Sequence, residues 1–98
     1  MRKKRETNRL NDLAVRSKGQ GKYCDGGGLW LVVDTSGSRR WVLIYRNKGK
    51  QREMGLGGYP LVSLSKAREL ARTAMPQLRI DRIDPIDARR KLEKLSPN

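Results

Sequence analysis

The apolar residues of this chain fall into two dense runs and one spaced stripe, and the two arrangements predict different elements. The runs are Leu29-Trp-Leu-Val-Val and Trp41-Val-Leu-Ile-Tyr. Both are short, rich in β-branched and aromatic residues, and bounded by turn-forming stretches: Gly26-Gly-Gly, Thr35-Ser-Gly-Ser and Asn47-Lys-Gly-Lys. Runs of this kind read as strands. A third strand is predicted over Lys50-Gln-Arg-Glu-Met-Gly-Leu, ending at Gly57 and Gly58. Two short connections in succession give an antiparallel meander, because parallel neighbours need a long crossover. Side chains alternate between faces along a strand. Trp41, Leu43 and Tyr45 therefore share one side of the middle strand, and Val42, Ile44 and Arg46 the other. Both sides are largely apolar, so at least one requires a cover.

The stripe supplies that cover. Leu64, Ala67, Leu70, Ala71, Ala74 and Leu78 recur at helical spacing, after Ser63, a good N-cap. Arg68, Arg72 and Arg79 lie together on its flank. Pro76 lacks an amide and its ring collides with the preceding turn, so the helix is expected to end or kink near Ala74. Asp84-Pro85 reads as a fresh start, with the acid as cap and proline in the first helical position. The charged tail over residues 86–95 reads as a linker helix rather than core. Near the N-terminus, Asn11 caps a short helix with Asp12 in its first turn, which Gly19 and Gly21 end near Lys18. The predicted fold is α+β: a three-stranded antiparallel sheet packed against a C-terminal helix, with a short N-terminal helix. The expected organisation is a flexible basic arm over residues 1–9, one folded domain over residues 10–80, and a linker segment over residues 81–98 toward a downstream domain absent from the chain.

Charge narrows the function. Lys and Arg number 23 against 10 Asp and Glu, a formal net charge of +13 in 98 residues. Such an excess repels itself in the folded state and suits a polyanionic partner. The apolar runs are far too short to span a bilayer, and the basic start, Met1-Arg-Lys-Lys-Arg-Glu, has no apolar stretch behind it. A cytoplasmic location, with no membrane partner, is the expectation. The lone Cys24 fits a reducing compartment. The sequence has no His, which removes the commonest general base and, with a single Cys, any plausible zinc site. No catalytic constellation, metal, cofactor or small-molecule substrate is expected of this chain.

Between Thr35 and Arg52 stand Arg39, Arg40, Arg46, Lys48, Lys50 and Arg52, with no acid among them. On the turns and strand ends of a small sheet they make a candidate phosphate-tracking surface, and a sheet of two or three strands fits the major groove of duplex DNA. Exposed hairpin turns also carry charge for solubility alone. The glycine run after Asp25 opens a strand, whereas a phosphate-cradling loop opens a helix; it reads as an unusual turn. Trp30, Trp41, Tyr23, Tyr45 and Tyr59 sit beside aliphatics and read as core packing rather than base-stacking platforms. Cys24 is read as structural.

In order along the chain stand Asp25-Gly-Gly-Gly-Leu-Trp-Leu-Val-Val, Ser36-Gly-Ser, Trp41, Tyr45-Arg46, Gly49-Lys50, Leu56-Gly57 with Tyr59-Pro60, Val62-Ser-Leu-Ser-Lys-Ala-Arg68 and Ile83-Asp-Pro85. This series resembles the N-terminal arm-type DNA-binding domain of prophage and pathogenicity-island tyrosine integrases of the P4 type. It departs from the family's pattern at Lys66, Pro76 and Arg82. The resemblance implies a sheet packed on a helix that binds double-stranded DNA at arm-type attachment sites, within a site-specific recombinase that integrates and excises a mobile element. It places the Arg, His and Tyr cleavage chemistry in a separate C-terminal domain, which leaves this chain as an excised fragment or a truncated product. Other integrase subunits are a second class of expected partner. Two alternatives stand beside this reading: a small basic RNA-binding protein, and a module that holds integrase subunits together.

Overall fold

The computed structural model describes residues 9–80 and 82–95. The basic arm, Arg9 excepted, lies outside the described residues. The elements run α1 (Asp12–Ser17), β1 (Gly21–Gly26), β2 (Leu29–Val33), β3 (Arg39–Asn47), β4 (Lys50–Tyr59), α2 (Leu64–Arg79) and α3 (Pro85–Leu95). The four strands form one antiparallel sheet in the order β1-β2-β3-β4.

The expected three-stranded sheet with one C-terminal helix is therefore corrected to four strands, and a second helix follows α2. The strand that was missed, β1, reads Gly-Lys-Tyr-Cys-Asp-Gly, with glycine at both ends and charge inside, a composition depleted in strands. Tertiary pairing overrides that weak propensity: Lys22, Tyr23 and Cys24 lie opposite Val32, Leu31 and Trp30. The connection to β2 is the two-residue turn Gly27-Gly28, with φ of 62° and 89°. Two successive positive φ values define the turn whose twist matches a hairpin, and glycine takes them without strain.

One face of the sheet is the core face. Leu29, Leu31 and Val33 from β2 and Trp41, Leu43 and Tyr45 from β3 are all buried there, with Leu31, Trp41 and Leu43 at 0% exposure. α2 lies over them through Leu64, Ala67, Ala71 and Ala74. Three alanines in that stripe let the helix axis approach the sheet closely. Removing one of the larger side chains, as in Leu31→Ala, costs about 2–5 kcal/mol in such a site. The Trp41 indole Nε1 donates to the Val62 carbonyl at 2.8 Å, so its polar edge is satisfied inside the core.

The helix starts follow their caps. The Asn11 side chain accepts from Ala14 N at 2.8 Å, and Ser63 Oγ from Lys66 N at 3.1 Å. Pro76 does not end α2, which continues to Arg79. The expectation of a break near Ala74 is corrected. Pro76 is exposed and opens the last turn of the helix, so the missing amide frees only the Arg72 carbonyl, on an exposed residue. The amide of Ile80 still reaches the Pro76 carbonyl at 2.9 Å. α3 begins where Asp84-Pro85 predicts. Its first turn is packed, with Ile86 in the core cluster, whereas Asp87, Arg89 and Arg90 are exposed.

Candidate nucleic-acid interface

The two sheet faces differ in what covers them. Every sheet residue of the core cluster belongs to the face under α2. The opposite face carries no helix among the described residues. Strand register arranges it in rows. Cys24, Trp30, Val42 and Gly55 form one row; Lys22, Val32, Arg40 and Gly58 form the next. On the other side of the first row, Ile44 lies opposite Glu53 and Arg46 opposite Gln51. Val32 and Val42 retain only 8% and 5% exposure. The accessible part of this face is therefore Trp30 and Ile44 in the middle and Lys22, Arg40 and Arg46 at the margins. Glu53 is its one described acid.

The six predicted contact residues divide between the faces. Arg40 and Arg46 point to the open side and are exposed. Arg46 Nη1 donates to the Gly49 carbonyl at 3.2 Å, which leans it over the β3–β4 turn. Lys48 occupies that turn with φ 55° and is exposed, as is Lys50 at the start of β4. Arg46 and Lys48 stand at the hairpin-tip end and Arg40 at the opposite end of β3, whereas Lys50, opposite Asn47, has the strand parity of Arg52 and lies on the helix side.

Arg39 and Arg52 face the other way. Arg39 Nη2 donates to the Arg16 carbonyl at 2.9 Å, serving the C-terminal turn of α1, while its Nη1 is buried with no partner among the described residues. Arg52 Nη1 lies 3.1 Å from Asp84 Oδ2 and 3.2 Å from Asp87 Oδ1. Asp84 is the hub of that side. Its carboxylate accepts from the Tyr45 hydroxyl, from Asn47 Nδ2 at 2.7 Å, from Arg52, and from the Ile86 amide at 2.9 Å. Burial alone would raise its pKa. The hydrogen bonds from Tyr45, Asn47 and Ile86, with the Arg52 charge, outweigh that and hold it at about 2. The same burial and the Asp84 carboxylate push the Tyr45 hydroxyl up to about 12.

A second buried acid ties the layers together. Asp25, 2% exposed, accepts from the Leu10 amide at 2.8 Å and from Arg68 Nε and Nη2, each at 2.9 Å. Arg68 Nη2 also donates to the Leu10 carbonyl at 2.8 Å. Arg68, on the helix flank, thus works inside the fold.

Sequence reasoning left Lys22 off the sheet, because its strand was not recognised, and placed Trp30 in the core, whereas the register puts both on the open face. Alternation within Leu29-Trp-Leu-Val-Val held the signal for Trp30: if Leu29, Leu31 and Val33 face α2, the indole faces away. Local sequence marked Asp84 as a helix cap but not its side-chain partners, 32–39 residues distant, and nothing local marked the pairing of Asp25 with Arg68, 43 residues away.

Fold and site together define a small α+β module with one sheet face left open and rimmed by cations. Comparison with known proteins agrees. Residues 6–92 match the Arm DNA-binding domain family, and the chain belongs to it. It is 41% identical over 69 residues to the integrase of Shigella phage Sf6 and to prophage integrase IntS of Escherichia coli K12, covering 70% of this chain and 18% of each relative. It is 38% identical over 66 residues to the integrase of Enterobacteria phage P4, covering 65% of this chain and 15% of that protein. The chain spans less than a fifth of the length of these relatives.

Proposed function

We propose that the open sheet face docks in the major groove of double-stranded DNA at an arm-type attachment site, as the N-terminal module of a site-specific tyrosine recombinase acting on a mobile element in the cytoplasm. The uncovered face between cationic margins is the observation that carries this reading. A duplex presents two rows of phosphates on either side of a groove wide enough for strands. The exposed margins, Lys22 and Arg40 on one side and Arg46 with Lys48 toward the other, match those rows. Trp30 and Ile44 then face base edges, where apolar groups meet thymine methyls. Phosphate contacts set register and affinity; the central residues choose sequence. Arg39 and Arg52 contribute by fixing α1 and α3. The A-form RNA major groove is too deep and narrow for side chains to read, which favours DNA over RNA. Strand cleavage belongs to a downstream domain of the whole recombinase, and other subunits of that enzyme are the further partners.

Titration of a labelled duplex containing an arm repeat, at several salt concentrations, tests this. Arg40→Ala with Arg46→Ala is expected to flatten the log–log salt dependence by about 0.9 per lost phosphate contact while the thermal melt stays in place. An unchanged slope would remove the open face from the interface.

A further inference from the structure

At the hairpin-tip end of the sheet lies an open groove of about 1120 Å³. Three parts of the chain wall it: Arg9 from the N-terminal segment, Arg46 and Lys48 beside the Gly27-Gly28 turn, and Arg79 and Arg82 from the end of α2 and beyond. None of its described lining residues is acidic. None of these five cations lies within ion-pair distance of a carboxylate among the described residues. The two basic side chains that do have buried carboxylate partners, Arg52 and Arg68, do not line it.

Five like charges around one concavity repel each other, and a concave wall of low dielectric focuses their field. The C-terminal end of α2 offers about half a negative charge, too little to balance them. A polyanion would. Charges spread over three segments suit a chain of phosphates better than one small anion. The groove also continues the open face, since Ile44 and Arg46 belong to both. At its lip, Gly27 has nothing within 4 Å of where a Cβ would stand, so the turn leaves room for a strand to pass. Arg82 holds a left-handed backbone, φ 58°, next to the bond from the Ile83 amide to the Gln77 carbonyl at 2.8 Å.

We infer that this groove seats the sugar–phosphate backbone of the duplex held on the open face, with Arg79 and Arg82 as phosphate contacts independent of the sheet. The inference rests on the docking proposed above. It adds a second layer of the fold to the interface, so that the backbone is held from two sides at the hairpin tips.

The test uses the whole chain and a random-sequence duplex of about 20 base pairs, two helical turns. The Arg79→Ala/Arg82→Ala variant is expected to lower the salt slope by about 1.8 and the affinity near 0.15 M salt by roughly 30-fold. The preference between two different duplexes should not change, because phosphates carry no sequence. Arg79→Lys/Arg82→Lys should restore the slope. A wild-type slope in the double alanine variant, with Arg40→Ala still weakening binding, overturns the groove and leaves the open face standing. Absence of duplex binding by the unaltered chain overturns both.

Discussion

Arg68 on α2 meets Asp25 on β1 through two nitrogens, each 2.9 Å from a carboxylate oxygen that is itself almost fully buried. The pair joins the helix layer to the sheet edge, and the Leu10 backbone closes the arrangement from the N-terminal side. Removing one member leaves the other charge, or its hydrogen-bond partners, uncompensated. Arg68→Ala is expected to cost about 3 kcal/mol, read as a lower urea midpoint with an unchanged m-value. Asp25→Asn should do the same. A midpoint within experimental error of the parent would show that the pair is not holding the layers.

The acid limb of stability should report Asp84. Its carboxyl is held at about 2, below the ordinary value of 3.8. A depressed acid contributes stability that is complete above the unfolded value and lost as pH falls through the folded one. The loss should therefore run from about pH 4 down to about 2. Asp84→Asn is expected to be less stable at neutral pH and to show a flatter acid limb. Parallel limbs for parent and variant would contradict this assignment.

Gly57 is a steric requirement of the β4 end. Its φ is 117°, and an added Cβ would stand 2.6 Å from Val62 Cγ2. Gly57→Ala should destabilise by about 1–3 kcal/mol. Adding Val62→Ala should relieve the clash but not the dihedral, so recovery in thermal denaturation should be partial.

Lys48 carries a conflict between folding and binding. It holds φ 55° at a hairpin turn where Asn or Gly is favoured. Lys48→Asn is expected to stabilise by up to about 1 kcal/mol and to lose about 0.9 from the salt slope of duplex binding. Calorimetry and titration should move in opposite senses; a variant that gains in both would take Lys48 out of the interface.

Trp30 should behave differently from the cations. Trp30→Ala is expected to reduce the ratio of affinities for an arm repeat over random duplex, with little change in salt slope. Replacing thymines of the repeat by uracil should have a similar effect on the unaltered chain, because the methyl group is what an apolar side chain reads. If Trp30→Ala lowered both affinities equally, the indole would have no role in readout.

Much of the fold was legible because its signals are local. Period-two alternation put Trp41, Leu43 and Tyr45 on one side of their strand, the side that proves to be the core face, and Asn11, Ser63 and Asp84 marked helix starts through capping chemistry. β1 was not legible from propensity, since Lys22 and Asp25 argue against a strand. The Gly27-Gly28 pair was the better clue: a two-residue turn before β2 requires a strand on its other side. The candidate surface was legible only as a group of charges. Arg40 and Arg52 look alike in sequence. What separates them is strand parity and a carboxylate 32 residues further on, which no local pattern announces. Pro76 misled because its cost depends on exposure and on distance from the helix end, neither of which a residue name gives.

Asp84 has a mechanical meaning as well. It collects Tyr45, Asn47 and Arg52 from the β3–β4 hairpin and starts α3 with the same carboxylate. Arg89, one turn along α3, donates to the Gly55 carbonyl of β4 at 2.7 Å. Eleven residues of helix, about 16 Å long, are thus bolted at two points to the hairpin whose tip bears Arg46 and Lys48. α3 is a lever with its fulcrum in the sheet, and any tilt of the hairpin is carried along that arm.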